Sequence, residues 1–254
     1  MVKKRSPLAA TVLGVLAIGS ATVAADELDA VIDWSAWDRM LRAHVVDGSV
    51  DYDAIAADPS FPAVVDAIAA ADVSDQPRQV QLAFHINAYN VLAVRGILDG
   101  SSPRSAFGKL RYFFRDKYLV AGEELSLHAY EHQRILPLGE PRVHFAINCA
   151  SASCPELRSE AYRPSALDAQ LDDAARQFIN DPTRNVFHLE DGRARLSKIF
   201  KWFRDDFEAA AGDVQRYLAP FVDHPEVAAA LRERRLKIRY LPYDWSLNGT
   251  FAGR

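Results

Sequence analysis

Long hydrophobic runs, cysteine and basic excess are what this chain has little of. The apolar run at residues 8–18 is shorter than the roughly 20 apolar residues a membrane-crossing helix needs, and it ends in Gly19, Ser20 and Ala21 rather than a basic flank. No Cys follows it, so nothing suggests an acylated lipoprotein amino terminus. Acidic residues outnumber basic ones, 34 to 30. That balance argues against nonspecific nucleic-acid binding, which requires a basic footprint. Internal repeats and low-complexity tracts are missing. With two cysteines in 254 residues, one disulfide at most is available.

What is present at the start is a leader. Lys3, Lys4 and Arg5 precede the apolar run, and Val23-Ala24-Ala25 offers small residues just before Asp26 and Glu27. This order is that of a cleaved signal peptide. The expectation is therefore a signal peptide at 1–25, a single globular domain at 26–254, and a periplasmic or secreted location without a membrane span after processing. Loss of the three leader cations would leave 27 basic against 34 acidic residues, a net charge of −7.

Periodicity in the remainder predicts a helix-rich α+β domain with a small antiparallel sheet. Trp34, Trp37, Leu41 and Val45 recur at helical spacing. Asp75 and Pro77 read as the N-cap and first turn of a long helix carrying Val80, Phe84, Asn87, Val91, Val94 and Leu98, stopped by Gly100 and Pro103. Tyr118 to Leu125 reads as a short hairpin, and Ser126 as the cap of a helix running to Leu136. Val143, Phe145 and Ile147 alternate with polar or small neighbours, predicting a strand. Pro164 and Ser165 open another helix, ended at Asp181-Pro182. The segment from Val186 through Asp191-Gly192 to Leu196 carries a hairpin signature. Two helices and a short strand at Lys237 to Leu241 precede the aromatic tail Tyr243-Asp244-Trp245.

Residues suited to chemistry concentrate between Asn87 and Cys154. Both cysteines lie in Asn148-Cys149-Ala150-Ser151-Ala152-Ser153-Cys154-Pro155. In an exported chain, two cysteines five positions apart form a candidate disulfide, Cys149 with Cys154. The competing reading is a free, activated Cys149. His132 or His144 would then be its base, and Glu131 a carboxylate orienting that base. Asn87 and Asn90, amides in an apolar helix, read as a hydrogen-bonded core network or as an orienting amide. Asp244 is a further acid that a terminal segment can deliver. His128-Ala129-Tyr130-Glu131-His132 also matches the H-x-x-E-H zinc pattern, but no third ligand is evident, and no metal or other cofactor is expected. The alternation Lys198-Ile199-Phe200-Lys201-Trp202-Phe203 reads as an amphipathic helix rather than a nucleic-acid surface.

Three blocks carry a resemblance. The first joins residues 83–90, Glu131-His132 with Arg134 and Leu136, and residues 144–155. The second is residues 196–202 with Asp206-Phe207, and the third is residues 243–248. Together they resemble the domain-of-unknown-function family 547 (DUF547), over roughly residues 34–248. The resemblance implies a fold similar to papain- and transglutaminase-like thiol hydrolases, with Cys149 as nucleophile, His132 or His144 as base, and Glu131 or Asn87 as orienter. This chain departs from the family pattern in carrying His85 where Trp is usual. Some members carry Ser at the position of Cys154, which weighs against an obligatory disulfide.

The functional expectation is an exported thiol-dependent hydrolase or acyltransferase acting on an amide, peptide or ester. The alternatives are a non-enzymatic, disulfide-stabilised envelope module that binds a partner, and a zinc-dependent hydrolase using His128, Glu131 and His132.

Overall fold

The computed structural model describes residues 31–253, so the segment read as a signal peptide lies outside the described residues. The chain opens with α1 (Ser35–His44) and a minimal hairpin of β1 (Val45–Val46) and β2 (Ser49–Asp51). Next comes α2 (Tyr52–Ala57), whose first turn is capped by Asp51 accepting from the Ala54 amide. After α3 (Phe61–Ala70), Pro77 leads into the 21-residue α4 (Arg78–Leu98). From Leu82 to Val94 this helix is buried on every side, and its polar residues there, His85, Asn87 and Asn90, are each hydrogen-bonded.

Then come α5 (Ala106–Leu110), β3 (Lys117–Val120), β4 (Glu123–Ser126) and α6 (Leu127–Tyr130). The Ser126 hydroxyl caps α6 by accepting from Ala129 N. Both short helices unwind into π-helical turns, at Arg111–Arg115 and Glu131–Ile135. Such turns are rare and cluster at functional sites. The second half contains α7 (Leu167–Asn180), β5 (Val186–His188), β6 (Arg193–Leu196), α8 (Ile199–Trp202) and α9 (Arg204–Ala211). It closes with α10 (Val214–Leu218), α11 (Pro225–Arg232), β7 (Lys237–Tyr240) and β8 (Gly249–Thr250).

The α+β, helix-rich expectation holds, although the strands form three small sheets rather than one. β3 and β4 are a hairpin; β1-β2-β8 and β5-β6-β7 each join an antiparallel pair to a parallel third strand. The strand expected at Val143 to Ile147 is instead a 3₁₀ turn, Pro141–Phe145, entered through Glu140, whose carboxylate caps Arg142 N. Alternation misled there because residues 143–148 are all buried. A segment packed on every side has no polar face, so period-2 spacing carries no information.

Two apolar cores result. One gathers α1–α4, both π-helical turns and the start of α7; the other gathers the rest of α7, the β5-β6-β7 sheet and α8–α11. The chain passes between them at 143–150. Phe145 enters the second core against Phe178, Phe200, Phe207 and Tyr217. Val143, Ala146, Ile147 and Ala150 enter the first.

Candidate active site

Cys149 is placed by three asparagines. In α4, Asn90 donates to the Ala146 carbonyl at 3.0 Å and accepts from Asn148 N at 2.8 Å. Asn148 spans its own loop, donating to the Pro155 carbonyl at 2.7 Å and accepting from Ala150 N at 2.7 Å. Asn248 donates to Asn148 Oδ1 at 3.3 Å and accepts from the Tyr52 hydroxyl at 2.6 Å. The C-terminal segment holds the far side, with Ala152 N donating to the Ser246 carbonyl and Asn248 N to that of Ala150. Ala150 sits at φ +58°. That left-handed conformation costs an L-residue about 1–2 kcal/mol. It persists because both of the residue's backbone polar groups are held, and it reverses the chain immediately after Cys149.

The Cys149 sulfur lies 3.1 Å from Ser151 Oγ and 3.3 Å from the Tyr243 hydroxyl. Burial pushes its pKa up. Hydrogen bonds from the Cys154 thiol, Ser151 and Tyr243, with the Ser151 amide, outweigh that and bring it down to about 7. Cys154 moves the opposite way, held well above its ordinary value by burial and by its neighbour's charge. The pair thus divides into a readily ionised sulfur and a protonated donor. Cys149 and Cys154, whose spacing makes them a candidate disulfide, are unbonded thiols here, and the Cys154 sulfur accepts from Cys149 N at 2.8 Å.

Of the two candidate bases, His144 is the one with a carboxylate partner. Its Nε2 lies 2.7 Å from Asp206 Oδ2, its ring stacks on Phe203 at 3.9 Å, and its Nδ1 is buried with no partner. The hydrogen bond to His144 holds the Asp206 carboxyl below its ordinary range, so Asp206 is an ionised acceptor. Nε2 therefore carries the hydrogen. Burial, outweighing Asp206, lowers the His144 pKa, leaving a neutral ring whose Nδ1 lone pair is free.

His132 is exposed, and its Nδ1 donates to the His128 carbonyl at 3.0 Å, not to Glu131. Glu131 is buried beside Cys149 and Asp206. Burial, followed by those two charges, raises its pKa to about 8. The structure does not bring Asn87 into the cleft: its amide is spent on Tyr162, donating to the carbonyl at 2.7 Å and accepting from the amide at 2.8 Å. Asp244 is likewise engaged locally, accepting from Ser246 N. His85 is a core histidine, 2.9 Å from the Tyr130 hydroxyl and pushed down to about 4, mainly by burial. Among the described residues no group of three or more His, Cys, Asp or Glu is gathered to hold a metal ion. The ligand that His128, Glu131 and His132 would need as a complement is not brought to them.

Cys149, Cys154, Glu131, His132 and His144 share one cleft of ≈ 430 Å³. Its remaining walls are largely aromatic: Tyr89, Phe113, Phe114, Trp202, Phe203, Tyr243 and Trp245, with Lys109 Nζ 4.1 Å from the Trp245 ring centre. Sequence reasoning missed Asp206 as an orienter, although Asp206-Phe207 stands in the second resemblance block. The available signal was helical: Asp206 lies three residues after Phe203 and one before Phe207, the two rings that pack against His144.

Fold and cleft define the class as a helix-rich α+β protein with a paired-thiol site between two cores. The family model described as "Protein of unknown function, DUF547" matches residues 73–179. That stretch holds Asn90, Glu131, His144 and both cysteines, and the match supports the resemblance to this family. No curated protein and no solved structure matches the chain.

Proposed function

We propose that the protein is an exported, thiol-dependent hydrolase or acyltransferase acting on an ester, amide or peptide bond. Cys149 is the nucleophile, His144 the base and Asp206 its orienter. The observation that carries the reading is the unpartnered, buried Nδ1 of His144, free because Asp206 occupies the other ring nitrogen, in the same cleft as a sulfur that ionises near neutrality. The leader grammar of residues 1–25 supports export.

In this reading the Cys149 sulfur attacks the acyl carbon and a thioester forms as the leaving group departs. The proton taken by His144 Nδ1 passes to that leaving group. Water, or an acceptor nucleophile, then attacks the thioester with His144 again taking the proton. The sulfur is released together with an acid or a transferred acyl product. Asp206 stabilises the imidazolium. Glu131, largely protonated at pH 7, is a hydrogen-bond donor inside an apolar cleft. The aromatic walls suit an apolar acyl group. This reading is preferred to a disulfide-stabilised binding module and to a zinc hydrolase because, among the described residues, Cys149 and Cys154 are free thiols and no third ligand joins His128 and His132.

The test is acyl-enzyme trapping with a panel of p-nitrophenyl acyl esters, read by mass spectrometry, alongside iodoacetamide alkylation across pH. Cys149 should carry both adducts, with an alkylation midpoint near pH 7 that rises in Tyr243→Phe. Ester turnover that survives Cys149→Ala would sink the proposal.

A further inference from the structure

The stretch from Arg104 to Lys117, which forms one rim of the cleft, is unlike the rest of the surface. Six large apolar side chains are exposed among the described residues, and three of them, Phe107, Leu110 and Phe114, lie here, with Phe107 68% and Phe114 51% exposed. A fourth, Trp202, stands across the same cleft, and Leu119 follows two residues beyond the stretch. Positions 107, 110 and 114 fall at i, i+3 and i+7 on α5 and its π-helical continuation, so they present one face. Phe114 lies against the His128 ring at 4.5 Å, while Phe107 and Leu110 pack into neither apolar core.

The charge of this stretch runs against that of the molecule. Residues 104–117 contain Arg104, Lys109, Arg111, Arg115 and Lys117 against one acid, Asp116, in a chain whose net charge is −4. Asp116 is taken by Arg111 at 3.3 Å and by the Ser101 hydroxyl. Arg104, Arg115 and Lys117 are exposed and enter no ion pair among the described residues. Exposed aromatics flanked by unpaired cations are the composition of a segment that lies in a lipid headgroup layer. A solvated helix face would carry the cations without the phenylalanines. A buried protein interface enriches Arg with its aromatics but depletes Lys, whereas this stretch also carries Lys109 and Lys117.

We propose that Arg104 to Lys117 is a docking face for an anionic lipid surface, with Phe107 and Leu110 entering the headgroup layer and Arg104, Arg115 and Lys117 facing lipid phosphates. The face borders the cleft through Lys109, Phe113 and Phe114. Docking therefore places the cleft at the lipid boundary, whatever chemistry occurs there.

The experiment is co-sedimentation of the full chain with vesicles of phosphatidylcholine alone and with about a quarter phosphatidylglycerol, at low and high salt. Expected is binding about tenfold stronger to the anionic vesicles, weakening with salt. In the same chain, Arg104→Glu with Arg115→Glu, and separately Phe107→Ser with Leu110→Ser, should each lower that binding about tenfold while leaving the circular dichroism unchanged. Equal binding to both vesicle types, or none to either, overturns the proposal, the latter leaving the face to a protein partner. Wild-type binding retained by both double variants also overturns it, because the affinity would then lie outside this face.

Discussion

At the scale of single residues, the cleft is defined by how its neighbours divide protons. Glu131 is the sharpest case, since its folded pKa of about 8 lies above its ordinary 4.5, chiefly through burial. A carboxyl raised in this way stabilises the fold fully below the unfolded value and loses that contribution as pH rises through the folded one. Wild-type stability should therefore decline between about pH 5 and about pH 9 by more than that of Glu131→Gln, which has no proton to lose. Since 1 kcal/mol moves the Tm of a chain this size by roughly 2–4 °C, the two declines should differ by about 3 °C or more in thermal melts. Parallel declines would mean that Glu131 is already solvated and charged.

The His144–Asp206 pair permits a second separation at this scale. The Cys149 sulfur is hydrogen-bonded with Cys154, Ser151 and Tyr243, not with an imidazole. Asp206→Asn should thus leave iodoacetamide alkylation of Cys149 nearly unchanged. Its amide would donate to His144 Nε2 and push the hydrogen onto Nδ1, the wrong tautomer for a base. Ester turnover should drop about 100-fold or more. Loss of alkylation and turnover together would mean that Asp206 acts on the sulfur directly.

At the scale of elements, what the sequence revealed followed from punctuation. The Asp191-Gly192 hairpin, the Ser126 cap, and Pro77 ahead of α4 all use local chemistry that needs no tertiary partner. The turn at Pro141–Phe145 was hidden because burial on all sides erased its pattern. The site was half legible for the same reason. Cys149, His132 and His144 drew notice by residue type, whereas Asp206, 62 residues from His144, joins the candidate site only once two cores are packed. Asn90 read first as a core amide and second as an orienting one, and it is the tie that sets the Cys149 loop on α4. Asn90→Ala strands the buried Asn148 amide and weakens the hold on the Ala146 carbonyl. It should cost about 2–4 kcal/mol in urea denaturation. The thiolate fraction of Cys149 should fall as the Asn148–Ala150 turn relaxes, and the alkylation midpoint should rise.

At the scale of the whole molecule, the candidate chemistry straddles a seam. Cys149 and Glu131 are carried by structure belonging to the first core, while Asp206 and Phe203 belong to α9 and its junction with α8 in the second. The 143–150 crossing joins them, and Phe145 is its anchor on the far side, fully buried among four aromatic rings. Truncating a phenylalanine in such a setting costs about 3–5 kcal/mol through lost burial and the cavity left behind. Phe145→Ala should accordingly show that loss in urea denaturation. The site makes a further demand of this variant, because the halves are affected unequally. Cys149 keeps its asparagine ties to α4, so its alkylation midpoint should stay near pH 7. His144 precedes the deleted ring directly, so its alignment with Asp206 and the seam should loosen and ester turnover should fall well beyond the fraction unfolded. A variant that lost turnover only in proportion to unfolding would show that the two cores hold the crossing without Phe145, and that the seam is not where the site is assembled.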